Sequence, residues 1–391
     1  MRCSAAKHRR CSPQARCRCL STGANLDRSR DRGFNIAGTP RRRAAAVACR
    51  AAFTHREKEH RIDPLAAAGL VFLASSVAVI YGGVGLARYG DELAEKTGWG
   101  KLWVGGALVS VVTSLPELTV SVSAVWLEQA PDLALGNVFG ANMINLFVLG
   151  LAALAFGAQN LFGGQGRDTR LLALLGIGLV AAAAAAGASG DARLGPTSLG
   201  GLGIFVLYIW GMRRVYQLGR VHAELEDIPA PTGKARKAWL IFGLSAAVVI
   251  VAARFVAASA EDIAELTGIS ASFIGAVLVA IVTTLPEGSV LVAAALRKSY
   301  GILVGNVYGS CAFNIFIFFV SDLFYVEGPL LATMQPAHFA AAAGAFILMG
   351  MGYLIMRGAA EERLAWAKRL TPAIPMVYFA ALYLVFTLGQ R

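Results

Sequence analysis

The sequence predicts an all-α integral membrane protein of about ten transmembrane helices, arranged as two inverted-topology five-helix repeats. Mean hydropathy is +0.59 and only 15% of residues are charged, against ~25% in soluble domains. Ten apolar segments approach the ~20 residues a helix needs to cross a bilayer. A motif also occurs twice, its copies five segments apart.

Residues 1–63 stand apart. They hold 16 of the 36 Lys and Arg, are rich in Ser and Ala, and contain no acid before Asp27. That is the composition of an organelle transit peptide, or of a start codon assigned too early, and it is excluded from the fold. The spans follow at roughly 65–87, 102–126, 133–156, 171–188, 194–212, 238–258, 272–296, 301–323, 337–356 and 372–388. Irregular backbone cannot face lipid, and there is no barrel-like alternation, so the spans are expected to be helices. The organisation is a first repeat over 64–212, a basic loop over 213–237 and a second repeat over 238–391.

Charge position matters more than the formal net charge of +12. Beyond residue 63 nearly all Lys and Arg fall in the loops after odd-numbered spans, among them Arg213, Arg214, Arg220, Lys234, Arg236 and Lys237. By the positive-inside rule that loop faces the cytoplasm or its equivalent, and nucleic-acid binding is excluded. The expected partners are the lipid bilayer and inorganic cations, with no obligate protein partner. The compartment, bacterial plasma membrane or organelle membrane, stays open. Cysteines cluster before the first span, where Cys17 and Cys19 lack zinc-ligand spacing, and only Cys311 lies in the membrane body.

Ala94 to Glu117 aligns without gaps on Ala264 to Glu287, with about half the positions identical, and GNVFGANMINLF from Gly136 matches GNVYGSCAFNIF from Gly305. An odd offset of five spans reverses direction, so the halves are antiparallel, the inverted repeat of secondary transporters.

Each copy puts a carboxylate in mid-span, Glu117 in VVTSLPELTV and Glu287 in IVTTLPEGSV. A charge there costs ~2.5–3.5 kcal/mol even on the gentlest scale, and no Lys, Arg or His occupies the middle of any span. A bound cation is the simplest partner. Pro116 and Pro286 each remove a donor, freeing the carbonyls of Val112 and Val282 as candidate ligands or merely kinking the helix. Thr113, Ser114, Thr283 and Thr284 add hydroxyls that face a cation or bond their own backbone. Asn145, Asn314 and Ser310 add further oxygens, while Gly136, Gly140, Gly305 and Gly309 read as packing positions. Oxygen ligands suit hard cations such as Ca²⁺ or Na⁺ and not zinc or copper, and Cys311 reads as a small packing residue. Neither a Ser/His arrangement nor an Asp pair lies within the spans, so no enzyme activity and no organic cofactor are expected.

These residues resemble the calcium/cation antiporter superfamily, specifically the membrane domain of sodium/calcium exchangers, through TSLPE at 113–117 with GNVFGANMIN at 136–145 and TTLPE at 283–287 with GNVYGSCAFN at 305–314. The resemblance covers the chain from about Leu65 and implies a ten-helix exchanger fold. It implies Ca²⁺ on Glu117 and Glu287, with Thr113, Ser114, Thr283, Thr284, Ser310 and Asn145 around flanking sodium sites, and backbone carbonyls near Ser110 and Ala280. The implied activity is exchange of Ca²⁺ for Na⁺ or H⁺ by alternating access. The alternatives are another divalent cation, Mg²⁺ or Mn²⁺, or a non-transporting cation sensor. The chain departs from the family at Val112 and Val282, where Gly is usual, at Ala141, where Ser is usual, and at Asn314, where some members carry Asp.

Overall fold

The computed structural model describes residues 63–97, 109–223, 236–360 and 369–390. The basic extension up to residue 62, residues 98–108 of the first repeat motif and 224–235 of the basic loop lie outside the described residues.

The first half runs α1 Pro64–Thr97, α2 Val109–Thr113, α3 Leu115–Trp126, α4 Pro131–Phe156, a short α5 Ala158–Phe162, α6 Arg167–Ala188 and α7 Leu199–Ala223. The second runs α8 Arg236–Thr267, α9 Ala271–Ile274, a π-helical turn Gly275–Val279, α10 Ala280–Leu296, α11 Tyr300–Phe324, a 3-10 turn Leu330–Thr333, α12 Pro336–Ala360 and α13 Ala373–Gly389. Seven of the described helical segments are long and apolar enough to cross a membrane; of the other expected spans, 372–388 is the shorter apolar helix α13 and 102–126 lies partly outside the described residues. In lipid each backbone N–H and C=O must be satisfied within its own segment, which leaves the helix as the only open-ended solution.

Two differences from the predicted spans have plain causes. Helices α1, α7 and α8 run one or more turns past their apolar stretches, because polar residues at a span end reach the interface without interrupting the helix. The segment expected to open the fifth span at residue 194 instead begins in a two-stranded hairpin, Arg193–Leu194 (β1) against Thr197–Ser198 (β2). Gly195 at φ +64° followed by Pro196 makes a tight turn, and helix α7 starts only at Leu199.

Packing repeats across the halves. Helices α1 and α8 lie along one another, α1 also packs on α10, and α8 packs on α3. Helix α4 packs against the π turn and α10, and α11 against α2 and α3. Each partnership has its counterpart under exchange of the two halves, as a pseudo-two-fold requires. Burial separates the layers, since 83% of the central window of α11 is inside the protein but only 28% of that of α8. Leu240, Leu244, Val248, Val251 and Phe255 of α8 form an exposed apolar stripe, which lipid solvates.

Close approach of α4 to the second half is set by glycines. A Cβ on Gly136 would collide with the main-chain oxygen of Ser272, and one on Gly140 would come within 2.5 Å of the Ala276 Cα. The packing role expected of these two positions is what the structure shows. At Gly305 no described atom lies within 4 Å of a Cβ.

Candidate functional site

Glu117 lies in the first turn of α3, just after the chain leaves helical geometry at Ser114, and Glu287 lies in the middle of α10 directly after Pro286. Both side chains are sealed from the outside, at 0% and 1% exposure, and Glu287 is close enough to act electrostatically on Glu117. Glu287 Oε1 accepts a hydrogen bond from the Ser114 hydroxyl at 2.9 Å, so the break in the first half delivers a donor to the carboxylate of the second. Glu287 Oε2 and both oxygens of Glu117 have no hydrogen-bond partner among the described residues. Three open carboxylate oxygens in a dry interior fit a cation, because burial without a counter-charge is the most expensive state a carboxylate can occupy. Among the described residues no group of three His, Cys, Asp or Glu exists to hold a metal, so further ligands would have to be neutral oxygens.

Those oxygens surround the pair. Thr113 Oγ1 donates to the Ser110 carbonyl at 3.2 Å and lies 3.5 Å from Ser310 Oγ on α11. Thr283 Oγ1 is 3.4 Å from the Ala280 carbonyl, the Thr284 hydroxyl donates to the same oxygen, and both threonines sit beside Glu117. For the three threonines the two roles therefore coincide, since they bond their own backbone and still lie beside the carboxylates, while the Ser114 hydroxyl bonds Glu287. The predicted carbonyls of Ser110 and Ala280 are the acceptors that hold them there. Val112 and Val282 are buried beside the prolines.

Asn145 is buried, and among the described residues its Nδ2 has no hydrogen-bond partner. Asn314 Nδ2 donates to Asn142 Oδ1 at 3.1 Å, which leaves Asn314 Oδ1 open. Asn142 Nδ2 in turn donates to the Cys311 carbonyl at 3.2 Å, and the Cys311 side chain is fully buried as a packing residue.

Sequence reasoning passed over three asparagines. Asn137 links the halves, accepting from Thr283 Oγ1 at 3.2 Å and donating to Ser121 Oγ at 3.0 Å and the Glu117 carbonyl at 3.4 Å. Asn142 orients Asn314, and Asn306 is fully buried with neither amide atom partnered among the described residues. The signal was present, because Asn137 and Asn306 follow the duplicated glycines at the same register.

A body of paired, oppositely directed five-span halves, with buried oxygen ligands where they meet, is the architecture of a secondary transporter. The comparisons give the family. The profile described as sodium/calcium exchanger protein matches residues 67–214 and 237–390, and the chain belongs to that family. It is 30% identical to the inner membrane protein YrbG of Escherichia coli K12 over 63% of this chain and 76% of that protein. It is 28% identical to the sodium/calcium exchanger MaX1 of Methanosarcina acetivorans, over 66% of this chain and 83% of that one. Among solved structures the fold is similar to that of the sodium-calcium exchanger NCX_Mj soaked with 2.5 mM Na⁺ and 10 mM Sr²⁺, at 22% identity and a TM-score of 0.54, covering 82% of this chain and 99% of that one. It is also similar to the H⁺/Ca²⁺ exchanger CAX, at 14% identity and a TM-score of 0.63, over 86% of this chain and 89% of that one. The protein is a multi-pass membrane protein of a cation-exchanger family.

Proposed function

We propose that this protein is a secondary antiporter that moves Ca²⁺ in one direction against Na⁺ or H⁺ in the other, with Glu117 and Glu287 as the shared Ca²⁺ ligands. The observation that carries this reading is the three open carboxylate oxygens at the meeting of the inverted halves. Ca²⁺ takes six to eight oxygens at ~2.3–2.6 Å and tolerates irregular geometry. Two carboxylates with the oxygens of Thr113, Ser114, Thr283, Thr284, Ser310, Asn145 and Asn314, and carbonyls near Ser110, Val112, Ala280 and Val282, can supply such a shell. The same oxygens in sets without the carboxylates suit a monovalent ion. Since both cation types compete for overlapping ligands, only one enters at a time, and exchange follows from that competition combined with alternating access.

Reconstitution of the full chain in sodium-loaded vesicles tests this. Radiolabelled Ca²⁺ uptake should require internal sodium or a pH gradient and fall by about a hundredfold or more in Glu117→Gln and Glu287→Gln, each of which removes a direct charged ligand. Uptake that survives both substitutions removes the carboxylates from the site. Uptake of Mg²⁺ or Mn²⁺ but not Ca²⁺ changes the substrate.

A further inference from the structure

Asn137 makes three hydrogen bonds at 0% exposure, and the protons in them can be placed. The main-chain carbonyl of Glu117 can only accept, so the amide atom of Asn137 that faces it at 3.4 Å must be the nitrogen. The other N–H of that nitrogen goes to Ser121 Oγ at 3.0 Å. The amide oxygen is left facing Thr283 Oγ1 at 3.2 Å, and since an amide oxygen also only accepts, Thr283 must be the donor. A hydroxyl has one proton. That of Thr283 is directed to α4, and what its oxygen presents on its other sides is lone pairs.

The consequence falls on Glu117. Two threonine hydroxyls sit beside it, yet among the described residues neither of its carboxylate oxygens receives a hydrogen bond. Thr284 gives its proton to the Ala280 carbonyl and Thr283 gives its own to Asn137. Glu287 differs, because one of its oxygens takes the Ser114 proton at 2.9 Å. In the duplicated motif Asn306 stands where Asn137 stands and Thr113 where Thr283 stands. That pair is not joined: Thr113 donates to the Ser110 carbonyl of its own helix, and Asn306 has no partner among the described residues.

We infer that Asn137 is a positioning residue for cation exchange, which draws the Thr283 proton across to α4 and so keeps both carboxylate oxygens of Glu117 and the Thr283 oxygen open to a cation. The inference rests on the transport-site reading above and adds to it a residue that acts through its neighbours instead of as a ligand. Without the amide oxygen two acceptors remain for that proton. One is the Ala280 carbonyl at 3.4 Å, already taken by Thr284, and the other is the Glu117 carboxylate beside it. The charged acceptor makes the stronger bond. A cation would then have to displace the proton, and would meet the positive end of the O–H dipole.

The test uses the full chain in vesicles and reads half-saturating Ca²⁺ separately from the maximal rate of uptake. Asn137→Ala should raise half-saturating Ca²⁺ about tenfold, the usual size of an effect that reaches a metal through a ligand's own partner, and lower the maximal rate by less than about twofold. Two further variants separate positioning from support of the fold. Ser121→Ala cuts a bond of the same amide but leaves the Thr283 proton in place, so half-saturating Ca²⁺ should stay within about twofold of wild type. Thr283→Val has no proton to place, so adding Asn137→Ala to it should change half-saturating Ca²⁺ by less than about twofold. A tenfold rise from Asn137→Ala on top of Thr283→Val, an equal rise in Ser121→Ala, or no rise in Asn137→Ala alone would overturn the proposal. Asn137→Ser, also too short to reach Thr283, is read in the same way if the alanine variant does not fold, and failure of both to fold makes the residue structural and overturns the proposal too. If Glu117→Gln abolishes uptake while Asn137→Ala changes nothing, this proposal alone fails. If Glu117→Gln is silent, the transport-site reading fails and this proposal falls with it.

Discussion

In the first half TSLPE breaks its helix, with α2 ending at Thr113 and α3 starting at Leu115, whereas in the second half TTLPE runs unbroken through Pro286 inside α10. The strings differ at one hydroxyl residue. The second half also carries an irregularity two turns earlier, in the π turn Gly275–Val279, wedged against Gly136 and Gly140 of α4, while most of the matching stretch of the first half lies outside the described residues. A π turn re-registers everything after it, so the helix arrives at Glu287 already turned toward the site. The first half reaches the same end by releasing Ser114, whose hydroxyl then serves Glu287. Near-identical motifs thus carry equivalent carboxylates, one just after a break in the helix and one inside a continuous helix.

The comparison can be broken at several points. The largest effect is expected at the wedge. Gly136→Ala drives a Cβ into the Ser272 backbone, which cannot give as a side-chain tip would, and should cost about 3 kcal/mol in detergent unfolding. A loss smaller than about 0.5 kcal/mol would show that this approach of α4 to the second half is not tight. Next is Asn137→Ala, which strands the Thr283 hydroxyl and the Ser121 partner between the halves and should cost about 2 kcal/mol in the same measurement. The smallest effect is expected at the prolines. Pro286→Ala restores a donor inside a continuous helix and should raise stability by about 1 kcal/mol, a fraction of the ~3 kcal/mol a proline costs in a helix interior. Pro116→Ala should change stability by less than about 0.5 kcal/mol, since a proline in the first turn of α3 removes no bond that the helix makes. A larger gain at Pro116 would mean that the proline itself, and not Ser114, breaks the first helix.

The carboxylates, their hydroxyl neighbours and the inverted repeat were legible in the sequence, because a charge in an apolar run and a duplicated string need no coordinates to be noticed. The asparagines were not all legible. Asn137 and Asn306 occupy one register and are indistinguishable as letters, yet one is saturated and the other open. That distinction depends on which groups the fold brings within hydrogen-bonding distance, Ser121 and the Glu117 carbonyl of the same half and Thr283 of the other, which periodicity does not encode. The hairpin at Arg193–Ser198 was hidden for a related reason: its apolar letters continue the hydropathy of α7, and only the Gly195–Pro196 turn interrupts it.

The burial of α11 also bears on how the chain is made. Asn306, Ser310, Asn314, Ser321 and Asp322 are all buried there, and Asp322 alone accepts from the Thr197 hydroxyl, the Ser198 N–H and the Leu330 N–H. Its mean hydropathy of 1.7 is below the 2.3 of α8, so it is the less apolar of the two spans. Two of Asp322's donors come from the hairpin strand β2 ahead of α7, so these partners of α11 are translated well before it. The burial of α11 in the finished protein therefore draws on groups that the first half supplies.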